Sequence, residues 1–356
     1  MLFKENWKET QARFIKWWNR EGLMVGAWGP GVPVKGDKPL AAFEAPRDLT
    51  QRWLDPHWRA RSNEHRMQQQ YFGLDILPIA DVDLGPGSLA LMAGSEPKLQ
   101  DHSIWFEPAA FDSYTTPIVF DPANKYMKLH QEMLRVSQEL SRGRYVAGIQ
   151  DLVENLDILA SLRDSQDLLF DLIERPEEVV AKTFEINQLF FNVYDRLFSQ
   201  LYTKEDGVFF SAFKLWAPGK VAKVQCDISA MFSPEMFDQC VVPALTEQCN
   251  WLDYSMYHLD GSQAIVHLDS LLAITNLDAI EWTPEPTQPG GGNKKWFDMY
   301  RKIKAAGKSV QPIQVKYEEV LPLIDAVGPE GLYIRTYFKS VEEVNRLQKA
   351  LEAYGY

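Results

Sequence analysis

Side chains that could do acid–base or metal chemistry stand where short apolar segments of this 356-residue chain end. In chain order the segment ends carry Trp28, Asp81, Asp83, Gln150, Asp151, Asp227, His258, Asp260, Glu281, Trp282, Gln314 and Arg335. Convergent carboxylates repel one another, so such a set persists where a metal ion, a proton or a cationic transition state compensates it. An Asp after a strand can equally be a helix cap, and for each one alone that alternative stays open.

Glycoside cleavage is one chemistry that needs such a set. It uses an acid and a second carboxylate on either side of an oxocarbenium-like centre, and aromatic rings can stack on the sugar faces. The catalytic candidates are Asp151, Asp227, Asp260 and Glu281. The substrate-binding candidates are Trp28, Asp81, Asp83, Gln150, Trp216, Trp282 and Arg335. The sequence does not distinguish the acid from the base, because that depends on the separations of the carboxylates.

A divalent metal site is the second possibility. His258 and Asp260 are two residues apart in an apolar run, and alternate side chains of a strand project to the same side. Both could bind one ion, such as zinc, together with Asp227 from a neighbouring strand. The alternative is a hydrogen-bonded His–Asp pair in which His258 serves as a proton shuttle.

The elements that must position these residues alternate in type. In the second half of the chain, apolar runs of strand length are separated by helical patterns, which is typical of repeated βα units and a parallel sheet. The units number near eight, and no Gly-rich dinucleotide fingerprint follows an early strand. We therefore expect an α/β fold of the (β/α)₈ TIM-barrel type, with the site at the carboxyl ends of its strands and no nucleotide cofactor.

Residues 1–356 are expected to form a single barrel domain, with an N-terminal helix over 6–21 and an insertion around 84–125. The composition, 46% hydrophobic and 24% charged, is that of an ordinary globular protein. Two local patterns predict helices in the second half of the chain. A helix is predicted to begin with Ser233 as its cap and Pro234 as its first residue, and a long helix is predicted over 165–201.

The net charge of the chain indicates which classes of partner it can bind. The net charge of −12 disfavours nucleic acid and anionic membrane surfaces, which leaves a small-molecule substrate as the expected partner. The three cysteines have no paired spacing, and the N-terminus has no apolar run of signal-peptide or membrane type. These features predict a cytoplasmic protein.

Four segments carry a recognisable pattern: GIQDLVENLDILASLRDSQDLLFDLIERPEEV, ISAMFSPEMFDQCVVPAL, YSMYHLDG and LDAIEW. Together they resemble the uroporphyrinogen-decarboxylase-like superfamily, which includes the corrinoid-dependent methyltransferases. The resemblance runs from about Tyr71 to the C-terminus and implies a (β/α)₈ barrel, a homodimer and a site in the barrel mouth. Near the first strand, GAWGPGVP lacks the arginines that hold propionates in the decarboxylases, so haem-pathway activity is not expected.

The resemblance also bears on the metal. The methyltransferases bind zinc through a His, the Cys two residues on and a later Cys. Here His258 and Gly261 match that motif, but Asp260 replaces the first Cys, and no Cys follows Cys249. The chain therefore departs from a zinc site that activates a thiolate, whereas an oxygen-rich metal site remains compatible with it.

Three hypotheses of function follow. The leading one is hydrolysis or elimination on a small polyhydroxylated substrate, a sugar or glycoside-like molecule. The second is metal-dependent methyl transfer, with a corrinoid protein as a possible partner, which the resemblance implies. The third is a barrel that binds a ligand without reacting.

Overall fold

The computed structural model describes residues 1–29, 31–34, 41–108, 111 and 113–356. The strands within these residues are β1 (Leu23–Ala27), β2 (Val32–Pro33), β3 (Gln70–Tyr71), β4 (Ile79–Ala80), β5 (Glu96–Leu99), β6 (Ile104–Glu107), β7 (Val146–Ala147), β8 (Val208–Phe210), β9 (Leu215–Ala217), β10 (Val221–Val224), β11 (Tyr254–Asp260), β12 (Ala279–Thr283), β13 (Ser309–Pro312) and β14 (Leu332–Thr336). The α-helices are α1 (Trp7–Trp18), α2 (Leu49–Leu54), α3 (Pro56–Met67), α4 (Leu89–Met92), α5 (Lys125–Ser141), α6 (Asn155–Arg163), α7 (Ser165–Glu174), α8 (Pro176–Leu201), α9 (Pro234–Cys240), α10 (Val242–Trp251), α11 (Leu268–Ala273), α12 (Phe297–Ala305), α13 (Val320–Val327) and α14 (Val341–Leu351).

A parallel sheet of six strands forms the centre of this mixed α/β fold. Its order is β1-β14-β13-β12-β11-β10, so the first strand of the chain pairs with the last. Every residue of β1, β10, β13 and β14 is buried, as expected for strands that are covered on both faces. The alternation of strands and helices in the second half of the chain was therefore predicted correctly.

The remaining strands form pairs. β4 and β7 pair in parallel, whereas β8 and β9 form an antiparallel hairpin. Hydrogen bonds connect the β4–β7 region to its neighbours: the Asp75 N–H donates to Val25 O at 2.9 Å, and the Ile149 N–H donates to Phe209 O at 2.7 Å. The parallel α/β part of the expected fold is thus observed.

The N-terminal helix α1 supplies a large part of the core. Phe14, Trp17 and Trp18 are buried on it, and the Trp18 indole donates to Trp216 O at 2.9 Å. The cluster of buried apolar residues to which they belong extends from Trp7 to Leu351. The two ends of the chain therefore contribute to the same core.

Proline positions decide where two helices end. The helix predicted over 165–201 is divided between α7 and α8 at Arg175, because the residue before a proline avoids the α-helical region. The predicted start at Ser233 is confirmed: its hydroxyl accepts the Met236 N–H at 3.3 Å, and Pro234 is the first helical residue. That helix also divides, into α9 and α10, just before Pro243.

Residues 84–125, where an insertion was predicted, contain α4 and the β5–β6 hairpin. Trp105 on this hairpin is 62% exposed. Across the described ranges, none of the helices combines the length and the apolarity needed to span a bilayer.

Candidate active site

A buried His–Glu pair lies at the centre of the site. His258 on β11 and Glu281 on β12 are directly opposite each other in the parallel register. Glu281, which is fully buried, is hydrogen-bonded to His258 Nδ1, and the Thr283 hydroxyl donates to the other Glu281 oxygen at 2.8 Å. This arrangement orients the imidazole and leaves its Nε2 for another partner.

Two carboxylates approach the free side of this imidazole. Asp227, His258 and Asp260 each offer one ligand atom, and these atoms lie within 4.8 Å of one another. His258 Nε2 is 4.0 Å from an Asp260 carboxylate oxygen, so the two side chains do project to the same side of β11. We call these three residues the acidic centre.

The donor set of the acidic centre suits a divalent ion. Catalytic zinc sites use three protein ligands and keep a position for water or substrate, with ligand bonds of about 2.0–2.2 Å. Two carboxylates and one imidazole fit zinc or manganese. To reach bonding distance, each of the three ligand atoms would have to move about 1 Å toward the ion. A carboxylate on the other ring nitrogen of the histidine, as Glu281 provides, is the usual support of a metal-binding imidazole.

Asp157 holds Asp227 in place. Its carboxylate accepts the backbone N–H groups of Asp227 at 2.8 Å and of Ile228 at 3.0 Å, at the start of the 3₁₀ turn after β10. The Gln225 side-chain amide donates to Asp157 at 2.9 Å and to Asp227 at 2.8 Å. Partial desolvation of its carboxylate and the nearby charge of Asp157 raise the pKa of Asp227 to about 6, although the residue remains open to solvent.

A second acidic group lies beside β10. Asp151 forms an ion pair with the buried Lys223 at 2.9 Å, so its charge is already compensated. Glu154 is fully buried and accepts the Gln225 N–H at 2.5 Å, and its burial raises its pKa to about 8. These residues support the strand that leads into Asp227.

A cavity of about 400 Å³ adjoins the site, and we call it the cationic cavity. It is lined by Trp28, Gly29, Arg66, Asp81, Asp83, Ser211, Ala212, Phe213, Lys214 and Arg335. Burial lowers the pKa of Lys214 to about 8. Burial, together with the nearby Asp81, raises the pKa of Asp83 to about 6.

Phe213 connects the cavity to the acidic centre. Its ring lies 4.8 Å, centroid to centroid, from the His258 ring, and its carbonyl accepts Arg335 Nη1 at 2.5 Å. Phe213 and Lys214 both have left-handed backbone, with φ of 51° and 54°. Non-glycine residues rarely adopt this conformation, and such strain often occurs at functional sites.

A wider cleft of about 720 Å³ shares Asp81 and Asp83 with the cationic cavity. Trp53, Trp105 and Asp157 are among the residues that line it. The cleft therefore extends from the cavity toward the residues that hold Asp227.

The structure places the predicted aromatic residues differently. Trp28 lines the cationic cavity, within a ring–ring distance of 6.4 Å from Phe213. Trp216, 3% exposed, and Trp282, fully buried, are packed in the core, where neither ring has a free face for a sugar. The stacking role proposed for these two rings needs correction, because packing against other aromatic residues occupies them.

The predicted polar site residues lie in different environments. Gln150 is fully buried, and neither polar atom of its side chain has a partner among the described residues. Arg335 binds backbone: its Nε and Nη2 donate to Ala27 O at 2.8 and 2.6 Å. Glu281, predicted as a catalytic residue, lies behind His258 and is hydrogen-bonded to its Nδ1.

Sequence reasoning missed several residues that shape the site. Asp157 lies within α6 rather than at the end of an apolar run, and neither Lys214 nor Arg66 ends such a run. Gln225 stands two residues before Asp227, so the strand predicted to end at Asp227 would have placed both side chains on one face. In the structure both residues follow the last residue of β10, and the Gln225 side chain bonds to Asp227 directly.

Neither the family models nor the curated protein sequences compared with this chain gave a match. The resemblance to the uroporphyrinogen-decarboxylase-like superfamily therefore stays a prediction.

Proposed function

We propose that the protein is a divalent-metal-dependent enzyme that acts on a small polyhydroxylated molecule by hydrolysis or elimination. The observation that carries this proposal is the convergence of Asp227, His258 and Asp260, with Glu281 behind the imidazole. A carboxylate–histidine pair that faces two further carboxylates is the arrangement expected of a catalytic metal site with an open position.

The chain's own residues would prepare the site for this chemistry. A bound divalent ion would supply Lewis acidity toward an oxygen of water or substrate. Glu281 raises the pKa of His258 against the opposing effect of burial, and it fixes which ring nitrogen faces the centre. Asp157 and Gln225 hold the Asp227 carboxylate toward the same point.

The finer fold belongs to the same proposal. We infer that β4 and β7 stand between β1 and β10 and complete an eight-stranded (β/α)₈ barrel. The hydrogen bond from Asp75 to Val25 supports closure beside β1. The hydrogen bond from Ile149 to Phe209 of β8 and the contacts of β8 with β10 support closure on the other side, through β8. In such a barrel the strand ends that carry the acidic centre lie at the catalytic face.

Methyl transfer is the second candidate. The segment His258-Leu259-Asp260-Gly261 stands where the resembling methyltransferases carry zinc ligands, and two of its residues form part of the acidic centre. A corrinoid protein would then be the partner. Transfer of a methyl group from a methyl donor to a cobalamin, with no turnover of sugars, would favour this candidate.

Metal titration tests the proposal directly. Chelator-treated protein is titrated calorimetrically with Zn²⁺, Mn²⁺ and Mg²⁺, and then screened against sugars and glycosides with and without the bound ion. We expect one ion per chain, with binding lost in Asp260→Asn and retained in Asp269→Asn, an exposed aspartate paired with Lys302. Equal binding in the two variants would overturn the metal site, and tight sugar binding without product would indicate a non-catalytic ligand-binding protein.

A further inference from the structure

The cationic cavity contains positive charges that the chain itself does not neutralise. Arg335 donates only to the backbone carbonyls of Ala27 and Phe213. Lys214 Nζ has no hydrogen-bond acceptor or ion-pair partner among the described residues. Arg66 donates one nitrogen to the Asn63 side chain at 2.6 Å, while its buried Nε has no partner.

The two carboxylates of the cavity do not balance these cations. Asp81 is already paired with Arg59 at 3.0 Å, and Asp83 accepts the Gly85 N–H at 3.0 Å. Counting Arg59 with the three lining cations gives four positive groups against two carboxylates. Arg335 is buried, whereas Lys214 and Arg66 are half-buried and face the cavity. A partly desolvated charge without a partner is unfavourable, so a surplus of this kind is retained where it has a use.

We propose that the cationic cavity binds the oxyanion group of the substrate, a carboxylate or a phosphate, through Lys214, Arg66 and Arg335. This inference rests on the proposed function and adds a substrate class to it: a small polyhydroxylated acid whose anionic end lies in the cavity while its reacting oxygen reaches the acidic centre. Phe213 supports this pairing, because it lines the cavity and packs on the His258 ring.

The protein's overall charge makes the cavity distinctive. The chain carries a net charge of −12, so its average field repels anions, and only a local excess of cations could hold one. The left-handed backbone at Phe213 and Lys214 carries the lysine in the turn that lines this cavity. Guanidinium and ammonium groups are the usual ligands of carboxylate and phosphate.

Binding of simple anions to the metal-free protein tests the inference. Succinate and inorganic phosphate are the charged probes and succinamide is the neutral analogue of succinate, all measured by calorimetry and thermal shift at constant ionic strength. We expect at least one charged probe to bind and succinamide not to bind. The two charged probes distinguish a carboxylate from a phosphate site.

Lys214→Met and Arg66→Met should weaken the binding about 10- to 100-fold, as expected for the loss of one charge-assisted hydrogen bond. Lys349→Met, which removes an exposed lysine on α14, should bind as the wild type does. Without ligand, Lys214→Met should melt no lower than the wild type, because it removes an unpaired charge. This result separates a binding role from a structural one.

Three outcomes would overturn the inference: no binding of either charged probe, equal binding of succinamide, or unchanged affinity in Lys214→Met. Because the measurements use chelated protein, they do not depend on the metal. Anion binding without metal binding would leave the cavity assigned and remove the proposed function, whereas metal binding without anion binding would do the reverse.

Discussion

The acidic centre and the cationic cavity are neighbours with opposite charge surpluses. Asp227 and Asp260 face one imidazole in the first, whereas Lys214 stands without a carboxylate partner in the second. The chain does not neutralise the surplus charge of either region, and the Phe213 ring lies between them. The difference indicates that each region is completed by a ligand of the opposite sign, a cation in one and an anion in the other.

Loss of an acidic ligand should have the largest effect. Asp260→Asn keeps the shape of the side chain but removes a charged donor, so we expect metal affinity and turnover to fall about 100-fold or more. The melting temperature should change little, because Asp260 is exposed. Calorimetry and an activity assay would measure both, and full activity in this variant and in Asp227→Asn would remove the catalytic role of the acidic centre.

Glu154 should show how burial, rather than a ligand, shapes the acidic side of the comparison. Its pKa is raised from 4.5 to about 8, so the folded state retains a proton that the unfolded state has lost between these values. The unfolding free energy should therefore fall as the pH rises from about 4.5 to about 8.

Glu154→Gln removes this titration but keeps the acceptor for the Gln225 N–H. At pH 8 and above, the variant should be more stable than the wild type by on the order of 3 kcal/mol, and the two should converge below pH 4.5. Urea unfolding at several pH values would measure the difference. A wild type whose stability rises over that window relative to the variant would contradict the assignment.

Glu281→Gln should affect the acidic centre alone, because Glu281 supports the His258 imidazole and does not line the cationic cavity. Removing the charge behind a metal-binding histidine reduces metal affinity about 10- to 100-fold in known sites. Succinate binding at the cationic cavity should be unchanged. Parallel titrations with Zn²⁺ and succinate would show both effects, and a comparable loss of succinate affinity would mean that the two regions are not separate.

Arg335→Lys should have the smallest effect. A lysine cannot reproduce the fork that binds the Ala27 and Phe213 carbonyls, so we expect a loss of about 1–2 kcal/mol of stability. The positive charge remains, so anion affinity should fall less than in Lys214→Met. Thermal unfolding and succinate titration would rank the two variants, and the opposite ranking would assign the anion to Arg335.

Local sequence patterns predicted a large part of the acidic centre. The two-residue spacing of His258 and Asp260 determines that they share a face of β11, because strand side chains alternate regardless of the rest of the fold. Asp227 closes an earlier apolar run and lies in the 3₁₀ turn after β10, which pairs with β11 in the sheet. The shared face of His258 and Asp260 could be predicted because the two residues are close together in the chain, whereas the role of the three residues stays a prediction.

The cationic cavity depended on contacts between distant segments, which the sequence did not reveal. Arg66 comes from α3, Lys214 from the turn before β9 and Arg335 from β14, and only the folded chain brings them together. Packing also buried Trp216 beside the N-terminal helix, a result that residue type alone does not predict. The alternation of strands and helices was determined by local sequence. The burial of each side chain and the balance of charges in the cavity were decided by tertiary structure, because they depend on which distant side chains surround a given group and exclude water from it.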